Sequence, residues 1–166
     1  MIIRKETESD IGAIFEITKK AFENHPYSNN TEQFIVNALR DDSALTLSLV
    51  AEVDGAVVGH VAFSPVTISD GSKNWYALGP LSVIPTMQKQ GIGKALVTKG
   101  LALLKANGAQ GCVLVGEPGY YGRFGFENIP GLVMEGVPDE NVLTLSFTES
   151  KVQGTVTHHP GFYATS

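Results

Sequence analysis

The stretch that decides the fold is LSVIPTMQKQGIGKAL, residues 81–96. Its apolar start ends at Pro85, and a short polar link leads to QKQGIG, residues 88–93, which is followed by good helix formers. A strand, a glycine-containing turn and a helix start therefore follow one another directly. This order presents free backbone N–H groups and the positive end of a helix dipole at one point, which favours binding of an anion such as phosphate.

Side chains in this turn disfavour the two common nucleotide-binding motifs. The dinucleotide fingerprint G-x-G-x-x-G/A, placed on Gly91 and Gly93, needs a small residue where the chain has Leu96. The Walker A pattern needs Ser or Thr where the chain has Ala95, and Gly where it has Gln88. A nucleotide-binding enzyme is therefore only the third hypothesis.

Composition sets the broad class of protein. The chain has 166 residues, 43% of them hydrophobic and 17% charged, so we expect a single folded domain spanning residues 1–166. The formal net charge of −5 argues against a nucleic-acid partner and weakly favours a cationic acceptor. With one cysteine we expect neither an internal disulfide nor a metal cluster. No apolar run approaches the ~18 residues of a membrane span, so we expect no membrane partner and a cytoplasmic location.

Periodicity and turn signals predict the order of the elements. Thr7 is placed to cap a first helix with Asp10 facing back towards it, and a second helix begins near Thr31. Strands are expected at residues 2–4, 45–53, 56–68, 75–84, 111–116, 143–147 and 155–158. The helix after Gly93 ends at Asn107-Gly108. Gly100 in its middle costs about 1 kcal/mol relative to Ala, which hints at close approach by another backbone or a cofactor.

Two motifs together resemble a known family. Q-x-x-G-x-G directly after a strand ending in V-x-P resembles the pyrophosphate-binding motif of the GNAT superfamily, the N-acetyltransferases that use acetyl-CoA. This superfamily commonly carries a Tyr four residues before a Gly-Phe pair, as Tyr121 stands before Gly125-Phe126. The sequence EPGYYGRFGF, residues 117–126, most resembles that of the YhbS-like branch of the superfamily. The resemblance covers residues 1–147 in element order.

The resemblance implies an α/β (α+β) GNAT-like fold, with a mixed, mostly antiparallel sheet of about seven strands flanked by helices. Two parallel strands would splay apart and hold CoA, and the two N-terminal helices would line the acceptor groove. The implied activity is transfer of acetyl from acetyl-CoA to a primary amine of a small molecule or peptide, by direct attack in a ternary complex. We expect a monomer or homodimer without a metal. The expected cofactor-binding residues are Leu81, Ser82, Val83, Gln88, Lys89, Gln90, Gly91, Ile92, Gly93 and Lys94.

Acetyl transfer requires a polarised carbonyl and a proton for the departing thiolate. A backbone N–H near Val83 is placed to polarise the carbonyl, and the resemblance makes Tyr121 the proton donor. Reference pKa values near 10 for Tyr and 8.5 for a thiol make full transfer uphill by about 2 kcal/mol. A hydrogen bond from Tyr121 is therefore as relevant as complete proton delivery.

The general base is open in the sequence. Many superfamily members place a carboxylate where this chain has Ala77. Alternation along the strand puts Val57, Val61 and Phe63 on one face and His60 on the other. The reference pKa of histidine, about 6.5, suits His60 as a base.

Several alternatives to this assignment remain. Glu52, Glu117 and a water relay are other candidates for the base, while Cys112 suits a buried small hydrophobe better than an acyl-cysteine nucleophile. Neighbouring His158 and His159 point to opposite faces of a strand, which disfavours a shared metal. Because Ala77 is not acidic, a non-catalytic acyl-CoA-binding sensor or interaction module is the alternative function.

Overall fold

The computed structural model describes residues 1–166 as a twisted sheet with helices on both faces. The helices are α1 (Ile11–Phe22), α2 (Glu32–Asp41), α3 (Ile92–Ala106) and the one-turn α4 (Pro118–Tyr121). The strands are β1 (Ile2–Lys5), β2 (Leu47–Val53), β3 (Ala56–Ile68), β4 (Trp75–Val83), β5 (Gly111–Val115), β6 (Leu132–Val133), β7 (Val142–Ser146) and β8 (Gly154–His158).

The sheet is mixed and mostly antiparallel, as the resemblance implied. Its main order is β1-β2-β3-β4-β5-β7, while β8 pairs with the far end of β3 and β6 pairs with β8. The pairs β4–β5 and β6–β8 are parallel. There are eight strands instead of about seven, because the two-residue β6 joins the edge of the sheet.

Local polar contacts hold the 3-10 turn Glu8–Asp10, which leads directly into α1. The backbone N–H of Thr7 donates to Asp10 Oδ2 over 2.7 Å, which matches the predicted cap. Arg4 donates two further hydrogen bonds to the same carboxylate. These bonds from Arg4, together with those from Thr7, hold the pKa of Asp10 well below its usual range despite burial. The chain therefore turns from β1 into α1 at a tightly held point.

Helix α3 covers one face of the sheet and buries the larger part of the core. Its apolar side packs against β2, β3 and β4 through Leu96, Val97, Leu101 and Leu104. The hint drawn from Gly100 was wrong in its detail: a Cβ at that position would overlap the ring of Phe63 on β3. The glycine makes room for a core side chain, and the nearest atoms all belong to the Phe63 ring.

Helices α1 and α2 cover the other face. Ile14, Val36 and Val50 pack together there. Val57 also packs in this cluster, so its predicted face was wrong. The register passes from Ala51↔Gly59 to Glu52↔Val57, and this bulge shifts the alternation of β3 by one residue.

The C-terminal turn, Pro160–Tyr163, packs against α2 on this same face. Its Phe162 ring stacks on His158 with centroids 3.9 Å apart. That ring also lies 3.5 Å from where a Cβ of Gly79 would stand. The end of the chain therefore reaches the middle of β4.

Candidate active site

Strands β4 and β5 are paired only at their first three positions. Trp75, Tyr76 and Ala77 align with Gly111–Val113, and no pair follows, although β4 continues for six residues. The register of β4 with β3 also shifts between Val61 and Phe63. This shift marks a bulge in β4 around Gly79-Pro80. The expected splayed parallel pair is present, and it leaves strand edges available to a ligand with amide groups.

Leu81 and Val83 face α3, and both lie 3.9 Å from where a Cβ of Gly93 would stand. Ser82 points to the opposite face, where its hydroxyl is buried. The three predicted strand residues therefore divide between the two faces of the splay. Leu81 and Val83 approach the start of α3, while Ser82 lies on the side of α1 and α2.

The turn before α3 presents a row of unpaired backbone donors. None of the seven consecutive N–H groups from Gln88 to Lys94 donates a hydrogen bond within the protein. Gly91 is the N-cap residue at φ +88°, and Lys89 also has a positive φ of 64°. The Gln88 side chain donates to the Val83 carbonyl over 3.0 Å, which ties the turn back to β4. All seven predicted turn residues therefore meet at the positive end of the α3 dipole.

A groove of about 480 Å³ runs from this turn along the outer side of α3. Its lining includes Gly91, Lys94 and Lys99. Both lysines belong to the exposed face of the helix. This surface adds positive charge next to the free N–H groups, so the electrostatics there favour a polyanion.

Tyr121 lies at the end of the one-turn α4, beside the carboxyl end of β5. Its ring lies against Gly116, where a Cβ would come within 2.6 Å of it. It also packs edge-on to Tyr120 and Phe126. Burial, followed by the proximity of Tyr120 and Cys112, raises the pKa of Tyr121 to about 12. The hydroxyl is therefore a hydrogen-bond donor throughout the neutral range.

Tyr120, which the sequence analysis did not single out, also lies beside the start of α3. Its hydroxyl lies 3.2 Å from where a Cβ of Gly93 would stand, so it reaches from α4 to the start of α3. The guanidinium of Arg123 lies over the Tyr120 ring, with its Cζ 4.6 Å from the ring centroid. Its Nε donates a hydrogen bond of 2.9 Å to the Tyr120 carbonyl. Burial raises the pKa of Tyr120. The sequence signal that could have pointed to Tyr120 is its position directly before Tyr121 in residues 117–126.

His60 lies in β3 opposite Ser82 of β4, on the face covered by α1 and α2. It is completely buried, and Ser48 bonds its Nε2 over 2.7 Å. Burial is the main cause that lowers its pKa to about 4. The reference value of 6.5, on which its role as a base was predicted, therefore does not apply in the folded protein.

The other candidates for the base are placed less favourably. Glu52 lies at the β1–β2 edge and pairs with Arg4 over 3.2 Å. Glu117 is exposed before α4. Ala77 is fully buried, and its partner across the β3–β4 ladder is Ser64. The directly opposite residue therefore does not supply the carboxylate that Ala77 lacks.

Cys112 is fully buried, and burial raises the pKa of its thiol. This agrees with its expected role as a small core residue. His159 pairs with Asp42 over 2.9 Å. No group of three or more His, Cys, Asp or Glu side chains could hold a metal ion.

None of the helices combines the length and the apolar character that crossing a bilayer would require.

Comparison with known proteins places this geometry among acyl-transferring enzymes. Residues 2–129 match the model of the acetyltransferase (GNAT) domain. The chain is 39% identical over 128 residues to the uncharacterized N-acetyltransferase YhbS of Escherichia coli K12. That alignment covers 76% of this chain and 74% of the relative.

Two similar crystal structures hold the coenzyme. A GNAT family acetyltransferase of Brucella melitensis, in complex with acetyl-CoA, is 48% identical with a TM-score of 0.87 and 97% of each chain covered. The structure of E. coli YhbS in complex with CoA has a TM-score of 0.88, covering 99% of this chain and 93% of that one. Over this longer structural alignment the identity is 33%.

Proposed function

This chain belongs to the GNAT family of acetyltransferases and is an acetyl-CoA-dependent acyltransferase, and on this premise we propose that it acetylates a primary amine of a small molecule or peptide. The net charge of −5 suits an acceptor that arrives as a cation. Membership of an enzyme family also favours catalysis over the non-catalytic binding module.

The observation that carries the proposal is the row of seven unpaired N–H groups from Gln88 to Lys94. Acetyl-CoA supplies an acetyl group activated as a thioester, and it also carries a pyrophosphate. These seven amides would hold the pyrophosphate, with Lys94 adding charge. The free edge of β4 at Leu81, Ser82 and Val83 would hydrogen-bond the amides of the pantetheine arm. The groups present therefore fit the coenzyme.

Other groups would act on the reacting atoms of the acetyl transfer. The amine must lose a proton and attack the thioester carbonyl directly, while a backbone N–H near Val83 polarises that carbonyl. Tyr121 donates a hydrogen bond to the departing sulfur. With the pKa of Tyr121 at about 12, complete proton transfer to a thiolate is uphill by about 5 kcal/mol. We therefore propose that Tyr121 stabilises the departing thiolate mainly by a hydrogen bond and not by complete proton transfer.

His60 is the proposed proton acceptor, acting from the face of the sheet covered by α1 and α2. The low pKa keeps its imidazole neutral at pH 7 and able to accept a proton. It also makes the residue a weak base, so a proton that reaches it must leave quickly.

A pair of glycine variants tests the coenzyme site. Gly93 and Gly12 are each the second residue of a helix and follow an isoleucine. Gly93→Glu places bulk and negative charge at the phosphates and should weaken CoA binding by about 100-fold in isothermal titration calorimetry. Gly12→Glu places the same charge at α1, where a Cβ meets open space, and should bind CoA normally. Unchanged CoA affinity in Gly93→Glu would refute the site.

A further inference from the structure

A line of polar side chains crosses the sheet face beneath α1 and α2. Arg40 of α2 donates two hydrogen bonds of 2.9 Å to the carboxylate of Glu6, which follows β1. Ser48 of β2 bonds Glu6 Oε1 on one side and His60 Nε2 on the other, the latter over 2.7 Å. The four residues come from four segments of the chain, so tertiary packing alone brings them together.

The chemistry of Glu6 fixes the direction of these bonds. Burial raises the pKa of Glu6, but the bonds from Arg40 and Ser48 outweigh it and leave the pKa lowered. Glu6 is therefore an ionised carboxylate that only accepts hydrogen bonds. Ser48 must donate its proton to Glu6, so its oxygen accepts from the Nε2–H of His60. The proton of neutral His60 is thus on Nε2, and Nδ1 has a free lone pair.

His60 lies opposite the part of β4 that is no longer paired with β5. His60 Nδ1 is buried without a hydrogen-bond partner, and so is the hydroxyl of Ser82. These two residues are opposite each other in the β3–β4 ladder. Opposed residues have Cβ atoms about 5 Å apart. Two buried side chains, each with an unpaired polar atom, are therefore neighbours across the ladder at the β4 segment assigned to the coenzyme.

The other end of the line reaches solvent. Glu6, Arg40 and Ser48 line an open cavity of about 440 Å³ at the edge of the sheet. Glu6 and Arg40 are the charged groups that act on His60. Its neighbours on β2 and β4 are Ser48, Val50 and Ser82, and the buried residues of α1 are Ile14, Ile17 and Thr18, all uncharged.

We propose that Glu6 and Ser48 are positioning residues that hold His60 as the Nε2–H tautomer, so that Nδ1 accepts the proton lost by the amine. The inference rests on the proposed acetyl transfer. His60 Nδ1 takes one proton, directly or through the Ser82 hydroxyl. Its Nε2 proton passes to Ser48, and the Ser48 proton passes to Glu6, which releases it to the cavity. One proton enters the line and one leaves, so His60 and Ser48 end neutral and Glu6 ends as a carboxylate again. His60 is left with its proton on Nδ1 and re-equilibrates to the Nε2–H form before the next turnover.

The first test reads the tautomer in the free protein and needs no acceptor. In ¹⁵N-labelled protein, long-range ¹H–¹⁵N spectra of the His60 ring should show a protonated Nε2 and a bare Nδ1 from pH 5 to pH 8. Ser48→Ala should lose this preference, and Ser48→Thr should restore it because it keeps the hydroxyl. Ser64→Ala is the matched control, since Ser64 is a buried, unpaired serine on β3 outside the line. A dominant Nδ1–H tautomer, or no effect of Ser48→Ala, would overturn the inference.

The second test measures CoA release with spermidine, a peptide with a free N-terminus and kanamycin as acceptors. Ser48→Ala and Glu6→Gln should lower kcat by about tenfold or more without changing the KM for acetyl-CoA, and both should alter the pH profile of kcat. Ser64→Ala and Ser48→Thr should stay near wild type.

Different results would contradict the positioning role and the acetyl transfer itself. A lower kcat in His60→Gln, with wild-type kcat and tautomer in Ser48→Ala and Glu6→Gln, overturns the positioning role and leaves acetyl transfer standing. Absence of CoA release from the wild type with every amine contradicts the proposed function, whereas the ring spectra still decide the placement of the His60 proton.

Discussion

Tyr121 and His60 both have pKa values that burial moves away from their reference values, to about 12 and about 4. In each case burial disfavours the charged form. Tyr121 therefore keeps its proton and His60 stays neutral at pH 7. The two groups that we propose for the transfer are therefore uncharged at pH 7, where they can donate and accept hydrogen bonds.

Tyr121→Phe tests the donor at the sulfur. We expect kcat to fall by about tenfold or more with little change in the KM for acetyl-CoA, because the hydroxyl is proposed to act on the leaving group and the ring still fills its place beside Gly116. The measurement is steady-state CoA release. Tyr163→Phe is the control, since Tyr163 is 64% exposed. Wild-type turnover in Tyr121→Phe would remove this residue from the mechanism.

At the scale of elements, α3 contributes both to the core and to the proposed anion site. Its first turn offers free N–H groups, while its middle packs on β3 so closely that Gly100 accommodates the Phe63 ring. Helix propensity and packing therefore oppose each other at this glycine. Packing should win, because an added methyl group has no space.

Gly100→Ala is accordingly expected to lower the free energy of unfolding by about 1–3 kcal/mol, although Ala favours helix by about 1 kcal/mol. Gly12→Ala in α1 has open space around its Cβ and should raise the free energy of unfolding by up to about 1 kcal/mol. Urea denaturation of both variants measures these changes. A stabilised Gly100→Ala variant would contradict the packing described for Phe63.

Sequence patterns predicted most elements, because alternation and turn residues are local. The span expected at residues 56–68 is β3 as observed, and Asp54-Gly55 forms its turn with φ values of 51° and 80°. The face of Val57 was wrong, because a bulge is set by pairing with a neighbouring strand. The bonds that join Glu6, Ser48 and His60 were missed for the same reason. Residues 42 and 12 positions apart become neighbours only in the folded sheet.

For the whole molecule, buried histidines couple stability to pH. Burial lowers the pKa of both His60 and His158 to about 4, whereas unfolded histidine titrates near 6.5. Between these values the unfolded chain binds more protons than the folded protein. The contribution of these two histidines to the free energy of unfolding is therefore fully present above pH 6.5, and it is lost as the pH drops towards 4.

Urea denaturation at pH 7, 6, 5 and 4.5 should show this loss, to which His60 contributes at most about 3 kcal/mol. His60→Gln should flatten the dependence between pH 6.5 and 4.5, while the exposed His25→Gln should leave it unchanged. A wild-type stability that is flat across this range would contradict the burial of both neutral imidazoles.

The central claim is that main-chain donors from Gln88 to Lys94 hold the pyrophosphate of the coenzyme. Titration of ¹⁵N-labelled protein with CoA, followed by amide spectra, tests it most directly. We expect these seven amides to show the largest chemical-shift changes and to gain protection from hydrogen exchange. Saturable CoA binding that leaves all seven amides unshifted would contradict it.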